Sequence, residues 1–304
     1  MMHKKFRGTG VALVTPFHKD GSIDFKCFGN IIENMVGNKI DYLVVLGTTG
    51  ESVTLTKDEK TAIIGFVVET VDKRIPVVLG LGGSNTQEVI NCLKNYDFDG
   101  VDAILSVSPY YNKPSQKGLY QHYKLIANLS PVPIILYNVP GRTSVNISSE
   151  TTLRLAYDVE SIIGIKEASG NMEQAMDIIK NKPEDFLVIS GDDALTLPLL
   201  AIGGDGVISV VANSFPRAFS DMVHHALHSN IKQARAIHYS LIDIIESLFV
   251  EGNPAGIKEV LEIQGMCANN LRLPLTNVSR STRNRLDSLL EQYAETAKKT
   301  EKIT

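Results

Sequence analysis

Residues 162–167 read Ile-Ile-Gly-Ile-Lys-Glu, and this stretch decides the fold. Its first four positions show no alternation of apolar and polar side chains. A strand with one wet face alternates, whereas a strand covered on both faces does not, so the run predicts a parallel strand inside an α/β protein. Seven further apolar runs surround it, at 11–14, 42–46, 76–79, 103–107, 133–136, 187–189 and 207–211. They recur every roughly 20–35 residues, room enough for a strand, a loop, a helix and the return.

The stretches between these runs predict helices. Thr56-Lys57-Asp58-Glu59 has capping-box spacing, and the helices at 115–129 and 148–157 each open on a serine cap. Eight βα units predict a (β/α)8 TIM barrel. A doubly wound sheet is the alternative, but its first strand would run into a GxGxxG turn, whereas here it ends Val14-Thr15-Pro16-Phe17. Beyond residue 228 the strand-like runs stop. Ile231, Ala234, Ile237, Leu241, Ile244 and Leu248 recur at helical spacing, Asn253-Pro254 restarts a helix with proline first, and a third helix is expected over 282–298. The expected organisation is therefore a catalytic barrel over residues 1–228 and a three-helix C-terminal appendage over 229–304.

The length suits this, since 304 residues can hold either two domains of ~150 residues or one barrel of ~250 with an addition. With 43% hydrophobic residues the chain can bury a core, so disorder is excluded as its main state. Lys plus Arg number 30 against 34 Asp plus Glu, a net charge of −4, which leaves no basic excess for nucleic acid. Cys27, Cys92 and Cys267 show no disulfide or zinc spacing, which suits a reducing, cytoplasmic location. The apolar run at 11–14 is too short for a signal-peptide core, and no stretch approaches the ~20 apolar residues of a membrane span.

Active sites of such barrels lie where strands end, so the chemistry is sought there. Lys166 ends the sixth run and should point into the barrel mouth. Desolvation disfavours an ammonium, and the neutral amine is a nucleophile that forms a Schiff base with a carbonyl. The bland alternative is a snorkelling surface lysine, or one paired with Glu167. Tyr137 ends the fifth run, and its phenol can relay a proton through a hydroxyl such as Thr48 or Thr49, or a second phenol, Tyr111. Gly47-Thr48-Thr49-Gly50-Glu51-Ser52 reads as a tight turn whose N–H groups can hold a carboxylate, or as an ordinary βα turn. Arg142 lies just past the fifth strand and can bind a carboxylate bidentately, or cap carbonyls at the surface. Metal chemistry looks poor. His224 and His228, at i,i+4, fall on an outer helix, and Asp192-Asp193 reads as a helix-starting pair.

Five motifs occur in order: GTTGES (47–52), SPYYNKP (108–114), YNVPGRT (137–143), GIKEASGN (164–171) and GDD (191–193). Together they make nearly the whole chain, from about residue 6, resemble the dihydrodipicolinate synthase / N-acetylneuraminate lyase family. That resemblance implies that Lys166 forms an imine with pyruvate, and that Tyr137, Thr48 and Tyr111 relay protons, Tyr111 from a neighbouring subunit. It implies that Arg142 binds L-aspartate 4-semialdehyde at the entrance, and that Thr49 and the backbone near Gly191 and Ile208 complete the pyruvate site. No separate cofactor is required, because the iminium is an electron sink made from the protein itself. The resemblance further implies a homotetramer, a dimer of dimers, and an L-lysine site at Ser52, Ser84, Glu88 and Tyr110. Lys57 and Lys60 stand where lysine-sensitive bacterial enzymes carry histidines, so weak or absent inhibition by L-lysine is expected. Two other readings stay open. One is an aldolase of the same family acting on sialic acid or a 2-keto-3-deoxy sugar acid, which Arg142 disfavours. The other is a non-catalytic barrel that binds a keto acid.

Overall fold

Eight strands form in chain order: β1 (Gly8–Ala12), β2 (Tyr42–Val45), β3 (Val77–Gly80), β4 (Ala103–Val107), β5 (Ile134–Asn138), β6 (Ile162–Glu167), β7 (Leu187–Ser190) and β8 (Gly206–Ser209). In the computed structural model, which describes residues 3–301, each strand pairs with its neighbours in parallel, and β1 pairs with β8 to close the barrel. Closure excludes the doubly wound alternative. The apolar runs mark the strands to within a few residues. The largest offset is at β1, which begins on Gly8-Thr9-Gly10, where no hydrophobic signal exists. Glycine is needed there. A Cβ on Gly10 would lie 2.2 Å from the Tyr42 ring, and one on Gly8 2.1 Å from the Asp41 carboxylate.

Around the barrel run α1 (Phe25–Gly37), α2 (Lys57–Val71), α3 (Thr86–Asn95), α4 (Gln116–Leu129), a single turn α5 (Pro140–Thr143), α6 (Ser149–Asp158), α7 (Met172–Asn181), α8 (Thr196–Ala201) and α9 (Pro216–Leu227). The capping box at Thr56 and Glu59 is present, and Ser115 and Ser148 cap α4 and α6. Three helices follow: α10 (Ile231–Phe249), α11 (Ala255–Ile263) and α12 (Arg280–Glu301). Pro254 is the N-cap of α11 and not its first residue, one position from the expectation.

Two apolar layers hold the molecule together. Phe6, Val44, Leu105, Ile135, Ile163, Ile189 and Ile208 fill the bore, while a larger layer, including Ile31, Val67, Ile126, Ile165 and Phe219, seals the helices onto the outside. β6 contributes to both layers through an irregularity. Ile134 pairs with Ile162 but Ile135 pairs with Gly164, so β6 holds one extra residue at a bulge. Strict alternation from inward-facing Ile163 would send Ile165 inward and Lys166 outward. After the bulge Ile165 packs under the helices and Lys166 faces the bore.

Two features depart from simple surface readings. His224 on α9 is half-buried, with Nε2 3.0 Å from the Asp41 carboxylate, and that partner raises its pKa above the ordinary 6.5. Cys27 on α1 donates to the carbonyl of Met266, 3.3 Å away, which brings it beside Cys267 although the two are distant in sequence. All three cysteines are free thiols. No helix among the described residues is long and apolar enough to cross a membrane.

Candidate active site

A cavity of about 370 Å³ opens at the C-terminal ends of the strands. Lys166 forms part of its wall and is 5% exposed. Its amine makes no ion pair or hydrogen bond among the described residues, and Nζ sits 4.3 Å from the centre of the Tyr137 ring. The two residues are register partners across β5 and β6. Glu167 is not the partner of Lys166, because successive strand residues face opposite sides of the sheet. Gly191, at the end of β7, leaves room for the lysine. A Cβ there would lie 3.0 Å from Lys166 Cε and 2.5 Å from Ala168 Cβ.

Thr48 and Thr49 line the same cavity from a 3₁₀ turn, Thr48–Gly50. That turn uses the N–H groups of Gly50 and Glu51 internally, to the carbonyls of Gly47 and Thr48, and it leaves those of Thr48 and Thr49 out of this pairing. The Thr15 hydroxyl braces the turn by donating to the Gly50 carbonyl at 2.7 Å. Arg142 lies at the cavity wall on α5, exposed, and its guanidinium makes no hydrogen bond or ion pair among the described residues. A guanidinium in that state suits an incoming carboxylate.

Not every expected residue joins this group. Tyr111 is 91% exposed at a φ of 75° and does not line the cavity. Ile208 lies beneath, packed in the bore, and Val210, two residues on, forms the wall. Ser52, Ser84, Glu88 and Tyr110 occupy the rim after β2, β3 and β4, outside the cavity and half-buried or exposed. Among the described residues no three His, Cys, Asp or Glu side chains gather as a metal site. Asp192 accepts from the N–H groups of Ala194 and Leu195 just ahead of α8, as a helix-starting carboxylate does, while Asp193 turns inward to β8.

Sequence reasoning missed the wall that the C-terminal helices supply. Phe249 and Asn253 line the cavity. Asn253 donates from Nδ2 to Thr49 Oγ1 at 3.0 Å, so that hydroxyl is an acceptor on this side and can donate its proton elsewhere. No local pattern announces a contact between residues so far apart. It also missed the brace behind the threonine turn. Glu51, at a φ of 52°, is buried with Lys258 as an ion pair, and Lys258 also donates to the Asn270 carbonyl at 2.8 Å.

A buried, unpaired lysine beside a phenol, at the mouth of a (β/α)8 barrel with hydroxyls and a free guanidinium around it, defines a lyase-type enzyme working through a lysine amine. The model of the Dihydrodipicolinate synthetase family matches residues 5–293, and the chain belongs to that family. A 4-hydroxy-tetrahydrodipicolinate synthase of Parabacteroides distasonis is 54% identical over 288 residues, covering 95% of this chain and 97% of that one. The crystal structure of dihydrodipicolinate synthase from Aquifex aeolicus superposes with a TM-score of 0.92 at 44% identity, covering 95% of this chain and 98% of the other. A monomeric dihydrodipicolinate synthase variant superposes with a TM-score of 0.93 at 39% identity, covering 96% and 98%.

Proposed function

We propose that this chain condenses pyruvate with L-aspartate 4-semialdehyde, the 4-hydroxy-tetrahydrodipicolinate synthase reaction of lysine and diaminopimelate biosynthesis. The observation that carries this reading is the unpaired, buried amine of Lys166 at the cavity wall, over the Tyr137 ring. The amine adds to the pyruvate carbonyl and water leaves, giving an iminium. The iminium acidifies the methyl group, which loses a proton to give an enamine. The enamine carbon attacks the aldehyde, and the aldehyde oxygen takes up a proton. The amine of the second substrate then displaces Lys166 as the ring closes, so the enzyme is regenerated.

Tyr137 and Thr48 serve the proton transfers, and Thr49 with the backbone near Gly191 and from Ile208 to Val210, at the end of β8, holds the pyruvate carboxylate. Arg142 takes the carboxylate of the aldehyde substrate. Tyr111 completes the relay from a neighbouring subunit in a homotetramer, a reading supported by its near-complete exposure in one chain. The similarity to 4-hydroxy-tetrahydrodipicolinate synthases at 51% and 54% identity and the free guanidinium of Arg142 both favour a short charged aldehyde over a sugar acid.

Borohydride reduction in the presence of pyruvate tests the reading. The expected result is a single covalent addition at Lys166, located by peptide mass. No addition, or addition at another residue, would overturn it.

A further inference from the structure

We infer that an amide–carboxylate network outside the bore, formed by buried Glu167 and Asn138 with half-buried Gln174 and exposed Asn146, positions Arg142 and thereby sets the affinity for the carboxylate of the second substrate. This rests on the reading of Arg142 given above. The network lies on the outer face of β5 and β6, outside the cavity, and no step of the proposed reaction uses it.

Glu167 ends β6 on the face opposite Lys166 and is 6% exposed. Its carboxylate accepts from Asn138 Nδ2 at 3.0 and 3.2 Å, from Gln174 Nε2 at 2.9 Å and from the Ser169 N–H at 2.7 Å. Each of these partners is a neutral donor. A carboxyl group presents two oxygens to these donors, whereas an amide in its place would turn a donor toward a donor.

The same amides close the base of the segment that carries Arg142. Asn138, at its start, donates to Asn146 Oδ1 at 2.8 Å and accepts from the Ile147 N–H at 2.9 Å, at its end. Gln174 binds both, accepting from Asn146 Nδ2 at 2.8 Å and donating to the Ile147 carbonyl at 3.2 Å. Inside the segment, Thr143 Oγ1 lies 3.2 Å from the Val139 carbonyl and 2.9 Å from that of Val145. The turn is therefore rigid in itself and clamped at both ends.

Arg142 has no side-chain partner among the described residues, so what the fold fixes is its point of attachment at the cavity wall, and the turn is what holds that point. Bidentate recognition of a carboxylate tolerates little displacement, since a shift of about 1 Å in a positioning group can cost about a hundredfold. Lys166 depends on other restraints: its ladder to β5 and β7 and the space left by Gly191.

The test compares Glu167→Gln and Gln174→Met with the parent, alone and combined with Arg142→Ala. The expected result is a KM for L-aspartate 4-semialdehyde raised about tenfold, with kcat within about twofold, because an interaction with the bound substrate is weakened and no reacting group is lost. The KM for pyruvate and the rate of borohydride trapping by pyruvate stay at the parent values. In the Arg142→Ala background neither substitution adds to the cost, since both act through the same group. Gln174 is half-buried on an outer helix, so Gln174→Met decides the matter if Glu167→Gln does not fold. Equal rises in both KM values, slowed trapping, or full additivity with Arg142→Ala would overturn the inference. Failure of the parent itself to trap pyruvate marks instead the failure of the Lys166 reading.

Discussion

At the scale of single residues, Asp193 carries a charge that its surroundings oppose. Burial pushes its carboxyl up from an ordinary 3.8 to about 6, against the pull of the Val210 and Val211 N–H groups at 3.0 and 2.8 Å. Between those two pH values the folded protein holds a proton that the unfolded chain has lost. Stability therefore falls as pH rises across that window and levels off above about 6, a change on the order of 3 kcal/mol. Asp193→Asn keeps an oxygen for the two N–H groups and removes the charge, so it should be more stable than the parent at neutral pH and should lose this slope. Urea unfolding at several pH values measures it, and a parent-minus-variant difference that does not change with pH would refute the argument. Residue identity was most legible where chemistry and strand ends coincide. Lys166, Tyr137, Thr48, Thr49 and Arg142 stand out from local context, Gly191 only through the family resemblance, and the structure gathers all six around one cavity. Asn253 does not stand out, because its bond to Thr49 spans 204 residues and helical periodicity says nothing of such a contact.

At the scale of elements, β6 shows what a run of apolar residues does not reveal. The eight runs gave the barrel because unbroken apolarity reports burial on both faces. They could not give the phase of β6, since Ile162, Ile163 and Ile165 look alike whichever way they point. The bulge sets that phase, and Gly164 makes it possible. A Cβ on Gly164 would stand 2.8 Å from both the Cβ and the carbonyl oxygen of Leu187. Gly164→Val forces β6 away from β7 or removes the bulge. Overpacking of this kind costs about 1–3 kcal/mol. Turnover should fall by a much larger factor than that stability loss explains, because the lysine is turned from the cavity. Trapping by pyruvate and borohydride on the folded variant checks this, and parent-level trapping would show that the bulge does not aim Lys166. The offset at β1 has a related cause: glycines demanded by Asp41 and Tyr42 leave no apolar signal where that strand begins.

At the scale of the whole molecule, the C-terminal helices belong to the catalytic unit. They supply Phe249 and Asn253 to the cavity, and Lys258 of α11 reaches behind the threonine turn to Glu51. Both side chains of that pair are fully buried, Nζ stands 4.3 Å from the centre of the Phe17 ring, and the Arg272 N–H donates to Glu51 at 3.2 Å. Arg272 in turn pairs with Glu59 of the capping box, whose carboxyl that guanidinium holds down at about 2. The appendage is thus tied to the loop after β2 and to the start of α2 by two charged links. Breaking a buried pair by removing one member leaves an uncompensated charge, at a cost of about 3–5 kcal/mol, whereas removing both members costs far less. Lys258→Met alone should therefore destabilise strongly and should also raise the KM for pyruvate, because Glu51 directly follows the Thr48–Gly50 turn. Adding Glu51→Gln should return most of the stability. Urea unfolding of the two single variants and the double variant measures the coupling. If the double variant were as unstable as the sum of the singles, the ion pair would not be what joins the appendage to the barrel.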